Sequence, residues 1–311
     1  MLLSREELSR HAPGRPLAVT IGVFDGVHLG HRHLIDTLKR RAAERRLASG
    51  VVTLHPDPVQ VLRPDVRIAY LTSLEERVEL LRATGVDAVA PLTFTSEVAE
   101  LSAFQFLELL HATLEIAYVL MGPDHAFGRG REGTPRRVAE IGEELGFEVE
   151  VLPAPLEGTS GAVSATAIRN ALAAGEMELV ASLLGRPFSI RGPVVRGAER
   201  GRTIGFPTAN IAVTPDRALP AYGVYVTRAI VGARTYASAT NIGVKPTFVD
   251  ERPSVETYLL DFEGDLYGRD VRVEVLQRLR GEIKFDSIDE LTASIAADVR
   301  KTRDYFAAHP L

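Results

Sequence analysis

The sequence contains no cysteine. That absence removes disulfides, thiolate catalysis and every cysteine-ligated zinc or iron–sulfur centre. No stretch approaches the about 18 consecutive apolar residues that a membrane-crossing helix needs, so no membrane partner is expected. The start, Met1-Leu2-Leu3-Ser4-Arg5-Glu6-Glu7, has no basic segment leading into an apolar one. It does not read as a secretory leader, and the expected location is the cytoplasm. A basic excess is missing too: 36 Lys and Arg face 41 Asp and Glu, a net charge of −5. No overall field draws the chain to nucleic acid, and an anionic ligand needs a local set of amides or cations. No G-x-x-x-x-G-K-[ST] occurs, which excludes a Walker-type phosphate loop. Internal repeats and low-complexity tracts are absent.

What remains is an ordinary globular chain of 311 residues, 45% hydrophobic and 25% charged. That length exceeds what one core usually serves, so two domains are expected, 1–183 and 184–311. The first half alternates strand-like and helix-like segments. Leu17–Val23 reads as a buried strand, followed by a helix from about His31 to Arg46 with Leu34, Ile35 and Leu38 on one face. Val51–Leu54, Val86–Leu92, Tyr118–Met121 and Phe147–Leu152 read as further strands. Between them, Ser73 with Glu76 and Ser102 with Gln105 mark capped helix starts, and Thr134-Pro135 opens another that ends near Gly146. Such alternation predicts an α/β fold, a doubly wound parallel sheet with helices on both faces and ligands beyond the carboxyl ends of its strands. After about residue 185 the rhythm changes. Tyr222–Val226, Val255–Phe262 and the alternating Asp270–Val275 predict antiparallel strands of a small barrel, and Ser287 with Glu290 predicts a capped C-terminal helix.

Two places carry candidate chemistry. Gly22-Val23-Phe24-Asp25-Gly26-Val27-His28-Leu29-Gly30-His31 runs from the first strand into the first long helix. Its glycines allow close backbone approach, and the helix start offers free amides and a positive dipole end to phosphate. His28 and His31 can donate to phosphate oxygens during nucleotidyl transfer, where one well-aimed donor is worth about 3 kcal/mol. A lone histidine here would be an ordinary capping residue; a pair in His-x-Gly-His favours function. Seven of the eight histidines lie at or before His125, so imidazole chemistry belongs to this half. Ser164-Ala165-Thr166-Ala167-Ile168-Arg169 supplies hydroxyls at a helix start and an arginine one turn on, a triphosphate clamp formed by Ser164, Thr166 and Arg169. Gly128-Arg129-Gly130-Arg131-Glu132-Gly133 matches G-x-G-x-x-G, but it follows the fourth strand and reads as a surface glycine loop before a nicotinamide site. In the second half, Gly201-Arg202-Thr203-Ile204-Gly205-Phe206-Pro207-Thr208-Ala209-Asn210 offers flexible backbone for phosphate. Thr208 and Asn210 lie on one face of an extended segment, and their oxygens suit Mg²⁺.

At these residues the chain resembles a known family. Gly22–His31 is similar to the signature of the HxGH nucleotidyltransferases, and more narrowly of the FMN adenylyltransferase domain in bacterial bifunctional riboflavin kinase/FAD synthetases. Val163–Arg169 is similar to that family's Ile-Ser-Ser-Thr-x-Ile-Arg element. Gly201–Asn210 resembles the riboflavin kinase signature, as do Asn241–Phe248, Asp261–Gly268 and Glu282–Ser287. The sequence departs from the pattern at Leu54-His55-Pro56-Asp57-Pro58, where acid and histidine are exchanged. It departs again at Gly122-Pro123-Asp124-His125-Ala126-Phe127-Gly128, where His125 replaces an aromatic. The resemblance implies that ATP and Mg²⁺ serve two reactions, riboflavin to FMN and FMN to FAD with release of pyrophosphate. It implies Glu256, His28 and His31 as catalytic residues. ATP for adenylylation would be held by Gly22, Phe24, Asp25, Gly30, Ser164, Thr166 and Arg169, and flavin by Asp124 and Phe127. ATP for the kinase would be held by Gly201, Arg202, Gly205 and Pro207, with metal at Thr208 and Asn210. It implies a six-stranded barrel plus C-terminal helix for the second half. Two alternatives stay open at this level: a riboflavin kinase with a weak or inactive adenylyltransferase domain, and a non-catalytic flavin or nucleotide sensor.

Overall fold

A computed structural model describes residues 2–153, 163–197, 201, 204–246 and 251–311. The chain forms two compact units, Met1–Ala165 and Thr166–Leu311.

Five strands form the sheet of the first unit: β1 (Leu17–Gly22), β2 (Ala48–His55), β3 (Ala88–Thr93), β4 (Ile116–Met121) and β5 (Glu148–Val151). All neighbours pair in parallel, in the order β3-β2-β1-β4-β5. Nearly every residue of β1 and β2 is buried, because helices cover both faces of a central parallel strand. One face packs Val19 and Ile21 with Phe106, Leu110 and Ile141. The opposite face packs Val51 and Val89 with Ile35 and Leu81. The helices begin where their caps dictate. Leu74–Arg82 and Ala103–Leu114 start on complete capping boxes, Ser73 with Glu76 and Ser102 with Gln105. Pro135–Leu145 begins under Thr134 and stops at Gly146, whose φ of 85° a residue with Cβ resists. The first long helix spans Leu29–Arg45 and starts two residues earlier than its apolar spacing suggested, because His28 caps it. The strand order makes the chain wind one way from β1 and the other way from β4. The switch point therefore lies between the carboxyl ends of these two neighbours, where ligands bind in open α/β sheets.

The second unit opens with helices Ala165–Ala174 and Met177–Leu184. The latter packs on barrel strands. Six strands follow: β6 (Phe188–Val195), β7 (Ala209–Ile211), β8 (Gly223–Val231), β9 (Arg234–Pro246), β10 (Glu251–Leu259) and β11 (Asp270–Arg280). They close an antiparallel barrel in the order β10-β7-β6-β11-β8-β9. Its interior is not wholly apolar. Thr227, Ser238, Thr240 and Thr257 are fully buried, and Thr227 Oγ1 bonds Ser238 Oγ at 2.8 Å and Thr240 Oγ1 at 2.7 Å. Thr240 Oγ1 continues to Thr257 Oγ1 at 3.1 Å, which joins three strands by hydroxyls alone. The C-terminal helix, Ile288–Ala308, lies over the outer faces of β8 and β9. Ser287 Oγ accepts from the Glu290 amide at 3.2 Å, but Glu290 reaches the amide of Asp286 and not that of Ser287, so the capping box is only half made.

Candidate functional site

The turn after β1 places the first site. Phe24, Gly26 and Val27 adopt positive φ angles of 55°, 77° and 41°. Positive φ at the β-branched Val27 is costly, and such strain survives only where the surroundings over-determine it. Asp25 does much of the determining. Its buried carboxylate accepts from the amides of Leu71 (3.0 Å) and Thr72 (3.1 Å) and from Thr72 Oγ1 (3.1 Å), while the Gly26 amide donates back to Thr72 Oγ1 at 3.1 Å. Below it lies the fully buried Arg77, whose Nη1 donates to the carbonyls of Val23 (2.9 Å) and Leu54 (3.2 Å) and whose Nη2 stands 3.7 Å from Asp25. One guanidinium thus ties the carboxyl ends of β1 and β2 to the turn. Asp25 is therefore held as a positioning group, turned toward protein partners.

His28 caps the long helix, its Nδ1 accepting from the His31 amide at 3.3 Å. The proton of a neutral His28 ring then sits on Nε2. The rings of His28 and His31 stack at 3.6 Å and 16°, and Phe24 meets His31 edge-on at 5.0 Å. His31 titrates well below the usual histidine value; burial is the main cause, followed by the neighbouring His28 and Arg77. Its Nδ1 has no hydrogen-bond partner among the described residues. Two glycines make this geometry possible. A Cβ on Gly22 would stand 3.1 Å from the Phe24 ring. One on Gly30 would stand 3.2 Å from the His28 ring and 3.3 Å from the Val163 carbonyl. The chain just before Ser164 therefore lies against the His-x-Gly-His turn. Ser164 immediately precedes helix Ala165–Ala174, and Thr166 and Arg169 share one of its faces three residues apart.

Asp124 and Phe127 leave β4, the other strand at the switch point. Asp124 is exposed, and its carbonyl accepts from Arg131 at 3.4 Å. Phe127 is built into the core against Phe106, ring centroids 5.5 Å apart. Half-buried His125 stands edge-on to Phe127 at 5.9 Å, and burial, then Arg131, lowers its pKa. In the altered Leu54–Pro58 element, Asp57 caps a short helix through the Val59 amide at 2.9 Å, and its own amide donates to Tyr70 Oη at 2.7 Å. His55 lies beside the Tyr70 ring at 5.4 Å.

The second site is a pair of cavities in the barrel unit. The first, about 320 Å³, has apolar walls from Phe206, Phe285 and Ile295 and contains Asn241, Glu256 and Glu282. The second, about 900 Å³, lies along the Asp261–Tyr267 loop and holds Pro207. They meet at Gly201, Thr208 and Tyr258. Strand register sets the chemistry at the junction. Glu256 on β10 stands directly opposite Asn210 on β7 and Asn241 on β9. Opposed residues point to one face, so the carboxylate is flanked by two amides, with Thr208 two residues before Asn210 on that face. Gly205 turns with a φ of 86°, and a Cβ on Gly201 would strike the Phe206 carbonyl at 2.3 Å. Arg202 lies outside the described residues.

Arg77, Arg280 and Asp298 escaped the sequence reading, and Asn241 entered it only as part of a resembling segment, with no role. Arg280 Nη2 and Asp298 stand 2.8 Å apart, a mostly buried pair tying β11 to the C-terminal helix beside the smaller cavity. For Arg77 a signal existed: it occupies the same helical stripe as Leu74, Val78 and Leu81, and a charge in such a stripe is a buried charge.

The FAD synthetase family model matches residues 11–167, and the riboflavin kinase family model matches residues 184–306. The chain is 39% identical over 297 residues to the bifunctional riboflavin kinase/FMN adenylyltransferase of Escherichia coli K12, covering 95% of this chain and 94% of that protein. It is 35% identical over 305 residues to the protein of the same name in Bacillus subtilis, covering 93% and 92%. Among solved structures, a Streptococcus pneumoniae protein described as a macrolide-efflux protein aligns with a TM-score of 0.85 and 32% identity over 96% of this chain and 97% of its own. No described helix here is long and apolar enough to cross a membrane.

Proposed function

Because the chain belongs to the bifunctional riboflavin kinase/FMN adenylyltransferase family, and so converts riboflavin to FMN and FMN to FAD, we propose that residues 1–183 carry adenylylation and 184–311 carry phosphorylation, each at the site described above. Glu256 is the general base of the kinase. It takes the proton of the riboflavin 5′-hydroxyl as that oxygen attacks the γ-phosphorus of ATP, the γ-to-β bridging bond breaks, and ADP departs. The observation that carries this reading is that Glu256 lines the smaller cavity and pairs in register with Asn210, two residues from Thr208, where the two cavities meet. The apolar cavity suits an isoalloxazine ring, and the larger one, lined by Gly201 and Pro207, suits a nucleotide, with Arg202 and Gly205 assigned by resemblance alone.

Thr208 and Asn210 are the proposed Mg²⁺ ligands. Their neutral oxygens, side by side on one strand face, form the hard donor set that Mg²⁺ accepts alongside phosphate and water. When bound, the ion neutralises charge on the β- and γ-phosphates; the residues hold it beside Glu256.

In residues 1–183, an FMN phosphate oxygen attacks the α-phosphorus of ATP and pyrophosphate leaves. His28, with its Nε2 proton directed away from the cap, and His31, kept neutral by burial, donate to the phosphate oxygens. Gly22 and Gly30 keep the site open, Phe24 and Asp25 hold its turn, and Ser164, Thr166 and Arg169 are assigned to the departing phosphates by resemblance alone. Asp124 and Phe127 form the flavin side, with Phe127 as a wall. Cytoplasmic residence belongs to the same proposal.

The test is a chromatographic assay of flavins after incubation with riboflavin, ATP and Mg²⁺. Glu256→Gln loses FMN formation and still makes FAD from added FMN. His28→Ala does the reverse. Loss of both activities in either variant overturns this division of labour.

A further inference from the structure

The register that flanks Glu256 with Asn210 leaves its other neighbour, Asn241, without a role in phosphoryl transfer. The row runs Val224, Asn241, Glu256, Asn210 across β8, β9, β10 and β7. Asn241 is half-buried and lines the smaller cavity, on the side of Glu256 away from Asn210. Its side chain makes no hydrogen bond among the described residues. Two positions along the same strand face, Gly243 has no side chain, and the Glu282 carboxylate fills the space; a Cβ there would stand 2.1 Å from Glu282 Oε1 and 3.7 Å from Asn241 Nδ2. A polar strip of Glu282, Asn241 and Glu256 therefore crosses a cavity with apolar walls from Phe206, Phe285 and Ile295, whose other charged groups, Arg280 and Asp298, are paired with each other. Carboxylates only accept hydrogen bonds, whereas an amide also donates. A hydroxyl does both, so a chain of hydroxyls is the chemistry this strip complements.

We propose that Asn241 binds an inner hydroxyl of the ribityl chain of riboflavin and thereby sets the terminal hydroxyl on Glu256. Asn241 is thus a specificity-determining residue: it makes the kinase read the polyol as well as the ring. The inference rests on the assignment of Glu256 as base and of the apolar cavity as the flavin site. A half-buried amide left unpaired by a substrate lacking the hydroxyl costs binding, which is how such a site rejects a deoxygenated analogue.

The experiment compares two substrates on the full-length enzyme. One is riboflavin; the other is the flavin with a 5-hydroxypentyl chain, which keeps the ring and the reacting hydroxyl and lacks the three inner ones. The wild type prefers riboflavin in kcat/KM. Asn241→Leu, close in shape to asparagine, lowers kcat/KM for riboflavin by about 10-fold or more, the size of one lost buried hydrogen bond, and changes the analogue by less than about 2-fold. Asn241→Ala, which adds no bulk, repeats the result. FAD formation from added FMN, catalysed in the other unit, reports the amount of intact enzyme in each preparation. An equal fall on both substrates overturns the proposal, because Asn241 then acts through Glu256 or through the fold. No fall on riboflavin overturns it as well. The underlying assignment fails separately, if Glu256→Gln retains riboflavin phosphorylation.

Discussion

Replacing Arg77 by methionine tests the placement of the adenylylation site. Methionine matches the length of the arginine stem but makes none of its bonds. The variant loses two hydrogen bonds from a charged donor, to Val23 and Leu54, and leaves the buried Asp25 without its nearest cation. Bonds to charged groups contribute about 1.5–3 kcal/mol each, and breaking a buried pair on one side costs about 3–5 kcal/mol overall. A loss of about 3–5 kcal/mol is expected, a large share of the about 5–15 kcal/mol that holds a typical domain together. Urea unfolding followed by circular dichroism measures it. Asp25 keeps its bonds from Leu71 and Thr72, so restoring only the charge, in Arg77→Lys, recovers at least about 1 kcal/mol of the loss. FAD formation falls in Arg77→Met while FMN formation continues, because Arg77 lies in the first unit. A loss below about 1 kcal/mol, or an Arg77→Lys variant no more stable than Arg77→Met, refutes the argument that this guanidinium pins the turn.

Gly30→Ala separates stability from activity. Alanine favours the helix by about 0.5–1 kcal/mol over glycine, yet its Cβ meets the His28 ring at 3.2 Å. The melting temperature is expected to hold or rise while FAD formation falls several-fold; unchanged FAD formation shows that the His28 position does not matter. Acid should destabilise the chain through its buried imidazoles. Burial keeps His31 and His125 below the ordinary value of 6.5. As pH drops through 6.5 the unfolded chain takes up protons that the folded chain refuses. The unfolding free energy therefore falls with pH until the folded-state pKa values are reached. His31→Gln removes its share and gives a shallower fall between about pH 6.5 and 5 in the urea midpoint; an unchanged slope contradicts the burial of His31.

The first unit was readable because its signals are local. Continuous apolar runs mark β1 and β2, paired Ser and Glu or Gln mark helix starts, and Gly146 marks a stop. The His-x-Gly-His turn was legible for the same reason, since strand, glycines and cap are contiguous. Strand β9 was not. Its inward positions Ser238 and Thr240 are hydroxyls satisfied by Thr227 and Thr257 from other strands, so the alternation of apolar and polar residues that betrays a half-buried strand never forms. The role proposed for Asn241 was hidden with it, because Asn241 stands opposite Glu256 only as a fact of register. Arg77 was overlooked because its partners are the carbonyls of Val23 and Leu54, which no spacing within its own helix reveals.

The hydroxyl chain inside the barrel has a consequence for assembly. Sliding β10 by one residue against β9 would turn every side chain to the opposite face, sending the Glu256 carboxylate into the barrel and Thr257 out to the cavity. An all-apolar interior would resist that slip only by the burial of a charge. Here Thr227, Ser238, Thr240 and Thr257 can link only in the native register, so a misaligned strand also breaks a chain of buried bonds. The barrel's interior acts as a proofreading device: a chain that closes without error is one whose Glu256 faces the cavity.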